Sequence, residues 1–168
     1  MKRYIDYCLP LLVALGVLLA TNSQAQHTHK NVVGLEMLGH GFGYTFNYER
    51  LLIHNSFFRT TAQLGLSYYG DNADTAPLWI PITINQLHPL GELGIHIEMG
   101  AGKIIRSHVP IFTESSSMRH LRVEEWIMRF GFRYQHPERR MLFKIAYTPF
   151  LPAGGITHWG AMGFGFQF

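Results

Sequence analysis

The sequence predicts an all-β chain, folded as a closed eight-stranded antiparallel transmembrane β-barrel. Residues 160–168 alternate large apolar side chains with glycine, alanine and glutamine. The same two-residue period recurs in earlier segments, and no stretch after residue 25 is apolar enough for a transmembrane helix. A membrane barrel has this pattern, because its outer face meets lipid while its inner face is small or polar.

Turn residues divide the chain into about eight alternating segments, the smallest usual number for such barrels. We expect strands, in chain order, at residues 31–38, 43–52, 57–69, 78–87, 92–105, 121–135, 141–148 and 160–168.

The first four segments each set a large apolar row against a small or polar row. Val33 and Leu35 oppose Gly34 and Glu36 in the first segment. The fourth is the least regular, since Pro81 cannot donate to a ladder. The second, third and fourth segments place outward Tyr44, Phe46 and Tyr48, then Leu64, Leu66 and Tyr68, then Ile80, Ile82 and Ile84.

The last four segments follow the same rule, with charged residues more frequent on the inward row. Their outward rows contain Leu93, Ile95, Ile97 and Met99, then Trp126, Met128, Phe130 and Phe132, then Met141, Phe143 and Ile145, then Met162, Phe164, Phe166 and Phe168. The same register turns Trp79 and Trp159 inward, although tryptophan in membrane proteins usually belongs to outward interfacial girdles.

The lengths of the connections also favour a barrel. Residues 54–56, 88–91 and 136–140 form short connections, whereas 70–77, 108–120 and 151–156 are longer. With both ends of the barrel domain in the periplasm, the short connections fall on the periplasmic side and the longer ones outside, as in outer-membrane barrels. The connection 39–42 is the exception, because it is an outer loop yet short.

The start of the chain predicts export. Lys2 and Arg3 precede an apolar stretch at 9–20, and Ser23 and Ala25 provide a small-residue cleavage site. We expect residues 1–25 to be a signal peptide, removed after Ala25, and 26–168 to be one outer-membrane barrel domain. The only cysteine, Cys8, lies in the signal peptide, so no disulfide is expected in the mature chain.

These features, with the ending Gly163-Phe164-Gly165-Phe166-Gln167-Phe168, resemble the small outer-membrane barrels of Gram-negative bacteria, the OmpA/OmpX type. The resemblance implies an outer-membrane location and a last strand whose Phe164, Phe166 and Phe168 are read by the barrel insertion machinery. The stretch 31–50 and the run 147–150 are similar to uncharacterised barrels of Bacteroidetes.

The inward row is the first candidate for a functional site. An eight-stranded barrel is just wide enough for side chains to fill it, so we expect a polar network that plugs the lumen. The alternative is a narrow, gated channel. The predicted lumen network consists of Glu36, Glu49, Arg59, His96, Glu98, Glu125, Arg129, Arg133 and Lys144.

A lipid-modifying enzyme, acylase-like or acyltransferase-like, is the runner-up function. Such an outward-facing hydrolase needs serine and histidine on one strand face, yet the adjacent Ser107 and His108 would face opposite ways. His96 and Glu98 share a face, and His27 with His29 could bind copper or nickel loosely. A structural pair and a flexible leader explain these residues as well, so no catalytic residue, metal or cofactor is predicted.

The third class of function is recognition at the cell surface. Loops 70–77 and 108–120 would project outward, with Arg106, Arg119 and Arg122 within reach of lipopolysaccharide phosphates. The net charge of +3 is too small to suggest nucleic-acid binding. We therefore predict a monomer with a structural or surface-interaction role, whose partners are outer-membrane lipids, lipopolysaccharide and the insertion machinery.

Overall fold

The computed structural model describes residues 29–41, 43–68, 78–107, 121–136, 139–152 and 155–168, and side chains only from residue 125 onward in the strand that starts at 121. The predicted signal peptide at 1–25, His27, and the loops 70–77 and 108–120 with Arg119 lie outside the described residues, as does the side chain of Arg122.

Antiparallel strands make up nearly all of the described chain. A short 3₁₀ turn, Gly39–Gly41, follows the first strand. The strands are β1 Asn31–Leu38, β2 Tyr44–His54, β3 Arg59–Tyr68, β4 Leu78–Pro89, β5 Ile95–Ser107, β6 Leu121–Gln135, β7 Met141–Tyr147, β8 Phe150–Leu151 and β9 Gly160–Gln167. No helix among the described residues is long and apolar enough to cross a membrane.

The sheet closes on itself. Each strand from β1 to β6 pairs antiparallel with the next, β6 pairs with β7, and β7 pairs with β9. The ring is completed by β9, which pairs with β1 from Val32↔Gln167 to Leu38↔Ala161. The predicted fold, a closed antiparallel barrel of eight strands, is confirmed, because the two-residue β8 is a continuation of β7.

The break between β7 and β8 falls at Thr148 and Pro149. The pairing Phe130↔Tyr147 and the pairing Ile127↔Phe150 share one register on β6. Between them, the Met128 N–H donates to the Pro149 carbonyl. The seventh strand therefore extends past its predicted end at 148, with one interruption where proline has no N–H to donate.

Pro81 interrupts one of the two hydrogen-bond ladders of β4. Pairing of β3 with β4 stops after Leu64↔Ile82 and resumes at Ser67↔Trp79. On the opposite edge of β4, pairing with β5 runs through Pro81↔Ile104 without a gap. The fourth strand is thus formed as predicted, because the missing donor of proline affects only the side that faces β3.

The two faces of the wall differ as the alternation predicts. On β9, Met162, Phe164 and Phe166 are 57%, 48% and 43% exposed, whereas Ala161 and Gln167 are buried. Water-soluble sheets bury their large apolar side chains, so this reversed arrangement is typical of a wall that meets lipid.

The two ends of the barrel differ in the length of the connections that they carry. The short-turn end carries the connections β2–β3, β4–β5 and β6–β7, and the loop end carries the others. The exceptional short connection between β1 and β2 does not project: Gly39, His40 and Gly41 are all buried, so it folds into the barrel.

Candidate functional site

Buried ion pairs occupy the middle of the barrel. Arg129 on β6 donates from Nη2 to both carboxylate oxygens of Glu36 on β1, at 2.6 and 2.7 Å. The Nζ of Lys144 on β7 lies 3.2 Å from Oε2 of the same Glu36. Glu36 is therefore held by two cations that reach it from other sides of the barrel.

A second group is built around Arg133, two inward positions further along β6. Its Nη1 and Nη2 donate to the two carboxylate oxygens of Glu49 at 2.7 and 2.6 Å, a bidentate pair. Its Nε lies 3.2 Å from Oε2 of Glu98 on β5. Glu98 also lies 3.8 Å from Arg129 Nε, so it links the two groups.

These six side chains, three acidic and three basic, balance each other's formal charge. Both arginines and Glu98 have fully buried side chains, and Lys144 retains only 7% exposure. Burying a charge is costly unless a partner and hydrogen bonds compensate it. The close opposite charges supply that compensation.

Amide side chains fill the space beside the ion pairs. Gln63 donates to Asn47 at 2.9 Å, and its own Oε1 accepts from Lys144 at 3.1 Å. Nearer the short-turn end, Gln135 donates to Gln167 at 2.8 Å. All four amide side chains are buried, and their mutual bonds satisfy polar atoms that cannot reach bulk water.

Small residues on the inward row make room for these side chains. Lys144 crosses Gly163 on the neighbouring strand, where a Cβ would lie only 3.0 Å from Lys144 Cε. The inward glycine of β9 thus gives the lysine stem space to reach Glu36.

Toward the loop end, the interior becomes apolar. Ile104, Ile127 and Phe150 form a buried cluster, and Trp79 and Trp159 pack against it from the inside. This packing explains the inward register of the two tryptophans, which take no part in an outward girdle. The indole of Trp79 also lies under Arg106, 3.9 Å from its guanidinium carbon.

The inward turn completes this layer. His40 Nε2 donates to the Met128 carbonyl at 2.8 Å, and its ring meets Phe150 edge-on with centroids 5.9 Å apart. At the 3₁₀ turn the positive φ of Leu38 and Gly39 reverses the chain sharply enough to enter the barrel. Sequence reasoning missed His40, although the shortness of this one outer loop was the available signal.

The short-turn end is nearly as well filled. The free space between Arg59, Thr61, Leu87 and Gln135 amounts to about 10 Å³. That is room for about one water molecule.

The nine predicted lumen residues divide into two sets. Six of them meet in the central network of ion pairs: Glu36, Glu49, Glu98, Arg129, Arg133 and Lys144.

The other three lie elsewhere. Glu125 pairs with Arg106 at 3.3 Å near the loop end, where both side chains are 21% exposed. His96 is buried near the short-turn end and donates from Nδ1 to the Gly94 carbonyl at 3.1 Å. Arg59 lines the small cavity at that end. Alternation gives the facing of each side chain but not its depth.

No group of three or more histidine, cysteine, aspartate or glutamate side chains is placed to hold a metal ion in the described part of the chain. His96 and Glu98 share the inward face, but His96 bonds to a backbone carbonyl and Glu98 to the arginines. His27 lies outside the described residues, so the pairing of His27 with His29 is not seen.

Comparison with known proteins identifies the fold. No family model matches the chain, and no curated protein sequence matches it. The N-terminal β-barrel domain of Pseudomonas aeruginosa OprF is similar, with a TM-score of 0.53 and 11% identity over 86% of this chain and 100% of that one. This chain has the fold of the small eight-stranded outer-membrane barrels.

The Yersinia pestis outer membrane protein Ail, solved in a phospholipid bilayer nanodisc, is also similar. Its TM-score is 0.47 at 13% identity, over 83% of this chain and 99% of that one.

Proposed function

We propose that the chain is an outer-membrane β-barrel with a structural or surface-interaction role and a lumen plugged by its own side chains. The observation that carries this proposal is the combination of an exposed apolar wall with a neutral, buried ion network across the interior. An apolar wall needs lipid around it, and a filled interior leaves no continuous water path.

The proposed orientation follows from the connections. The short-turn end faces the periplasm, and the longer connections face outward. A surface-interaction role then belongs to loops 70–77 and 108–120, which lie outside the described residues. Below them, Lys103 covers the exposed ring of Trp126 at 4.5 Å, a placement suited to the phosphate level of lipopolysaccharide.

Assembly is proposed to depend on export by the segment 1–25 and on recognition of β9. The outward residues Phe164, Phe166 and Phe168 are 48%, 43% and 50% exposed and form one continuous row. We propose this row as the feature that the barrel insertion machinery reads.

Single-channel recording in planar bilayers tests the plugged lumen. We expect the purified, refolded chain to give no conductance steps above a protein-free bilayer, because the ion pairs and the apolar layer close the path in series. A general porin recorded under the same conditions serves as the positive control. Resolved, reproducible steps from the wild-type chain would favour the channel and contradict this proposal.

A further inference from the structure

The outer wall carries an apolar recess of about 780 Å³ that spreads sideways over several strands, from Phe164 and Phe166 on β9 to Leu64 and Leu66 on β3. Over β1 this recess forms a groove whose floor is made by Val33 and Leu35. Aromatic side chains form the two sides, Phe46 and Tyr48 on β2 and Phe164 and Phe166 on β9. The groove exists because two aliphatic residues stand between two taller aromatic rows.

The lining of the groove is almost wholly apolar, and Phe46 at its side is 62% exposed. Neighbouring strands lie about 4.8 Å apart, so the two aromatic rows are roughly 10 Å from each other. A groove of this width along a strand suits an extended hydrocarbon chain, which gains dispersion contacts from both rows.

Cations flank the end of the groove at the short-turn rim. Arg140 lies over the ring of Phe166, with its guanidinium carbon 5.8 Å from the ring centroid. On the opposite side Arg50, paired in register with Asn31, follows Tyr48 by two residues on the same outward row. Asn31 lies between them and accepts a hydrogen bond from the Tyr48 hydroxyl at 2.9 Å.

Among the described residues, neither Arg50 nor Arg140 has a carboxylate within ion-pair distance. The contact of Arg140 with the Phe166 ring places its charge beside the groove. Two cations and an amide at the end of an apolar groove complement an amphiphile with an anionic head and a hydrocarbon tail.

We propose that this groove binds one anionic phospholipid of the periplasmic leaflet, with an acyl chain along β1 and the phosphate between Arg50 and Arg140. The inference rests on the outer-membrane orientation proposed above, which puts the short-turn rim in that leaflet. A second copy of the chain fits less well, because it would bring the same two arginines against each other.

Native mass spectrometry of the full mature chain, refolded in detergent and titrated with phosphatidylglycerol or phosphatidylcholine, tests the proposal. We expect preferential retention of phosphatidylglycerol as a one-to-one complex. Arg50→Gln and Arg140→Gln should each weaken phosphatidylglycerol binding about fivefold, with little change for phosphatidylcholine.

Matched control variants distinguish binding at this groove from a general effect of charge or of a bulky side chain. Arg139→Gln removes an equal charge from the same exposed end and should bind as the wild type does. Val33→Trp should fill the groove and weaken both lipids, whereas Ile84→Trp, on the exposed face of β4, should weaken neither.

Each variant must keep the gel shift between unboiled and boiled samples, so that loss of the barrel is distinguished from loss of the site. Equal weakening by Arg139→Gln, or unchanged binding in both Arg50→Gln and Arg140→Gln, would overturn the proposal. Observation of wild-type dimers that the Val33→Trp substitution converts to monomers would also overturn it. Such dimers would identify a second copy of the chain as the occupant of the groove.

Discussion

Glu98 illustrates how a single side chain stabilises the interior. It lies between Arg129 and Arg133, fully buried, and each arginine also has another carboxylate partner. Its Oε2 is close to Arg133 Nε but lacks a well-aligned hydrogen bond. Glu98 therefore stabilises the interior largely by compensating the two buried positive charges of Arg129 and Arg133.

Replacing Glu98 by glutamine should be strongly destabilising. The change leaves three cations against two carboxylates in the buried network, and breaking such a network costs about 3–5 kcal/mol. Glu125→Gln is the matched control, because its pair with Arg106 retains contact with water and should cost about 1 kcal/mol. Urea unfolding from lipid vesicles, followed by tryptophan fluorescence, measures both. Equal losses would contradict the central role of Glu98.

For individual residues, alternation predicted which side chains face inward but not which of them form ion pairs. Glu36 and Arg129 could both be placed inward from alternation alone. Their contact crosses the interior between β1 and β6, which are not neighbours in the wall, so it depends on how the closed barrel staggers its strands. The same stagger places Glu125 away from the central ion pairs of the predicted lumen network.

The strands are the best-predicted elements. The bounds of β1 and β6 agree with their predicted segments, and the other main strands differ at their ends by a few residues. The inward turn at Gly39–Gly41 had only the shortness of its loop as a signal in the sequence, because its place depends on a hydrogen bond to Met128 on a distant strand. The continuation of β7 as β8 depends likewise on the ladder with β6.

Arginine substitution tests the outward face of the strands. Leu64 lies in the middle of β3 and is 48% exposed, so Leu64→Arg should cost about 2–4 kcal/mol in a bilayer. Ile53→Arg, outward but at the short-turn end of β2, should cost about 0–1 kcal/mol. Unfolding titrations in vesicles compare the two variants. The same cost at both depths would mean that these positions do not face a membrane.

The whole molecule derives its stability from closure and filling. The eight main strands close into a ring in which each one pairs with two neighbours, so the wall that the described strands form has no free edge strand. The interior then changes along its axis, from buried amides through ion pairs to an apolar layer with two tryptophans. The apolar layer was not predicted from the sequence, because the two-residue alternation does not show how far along the barrel axis Ile104, Ile127 and Phe150 lie.

We propose that this closed barrel is inserted in the outer membrane. Its location and closure are tested together in fractionated cells that produce it, with each fraction run boiled and unboiled on a denaturing gel. We predict a band in the outer-membrane fraction whose migration changes on boiling, because a closed hydrogen-bonded barrel resists detergent until it is heated. A band in the soluble periplasmic fraction that migrates identically in both samples would contradict the account.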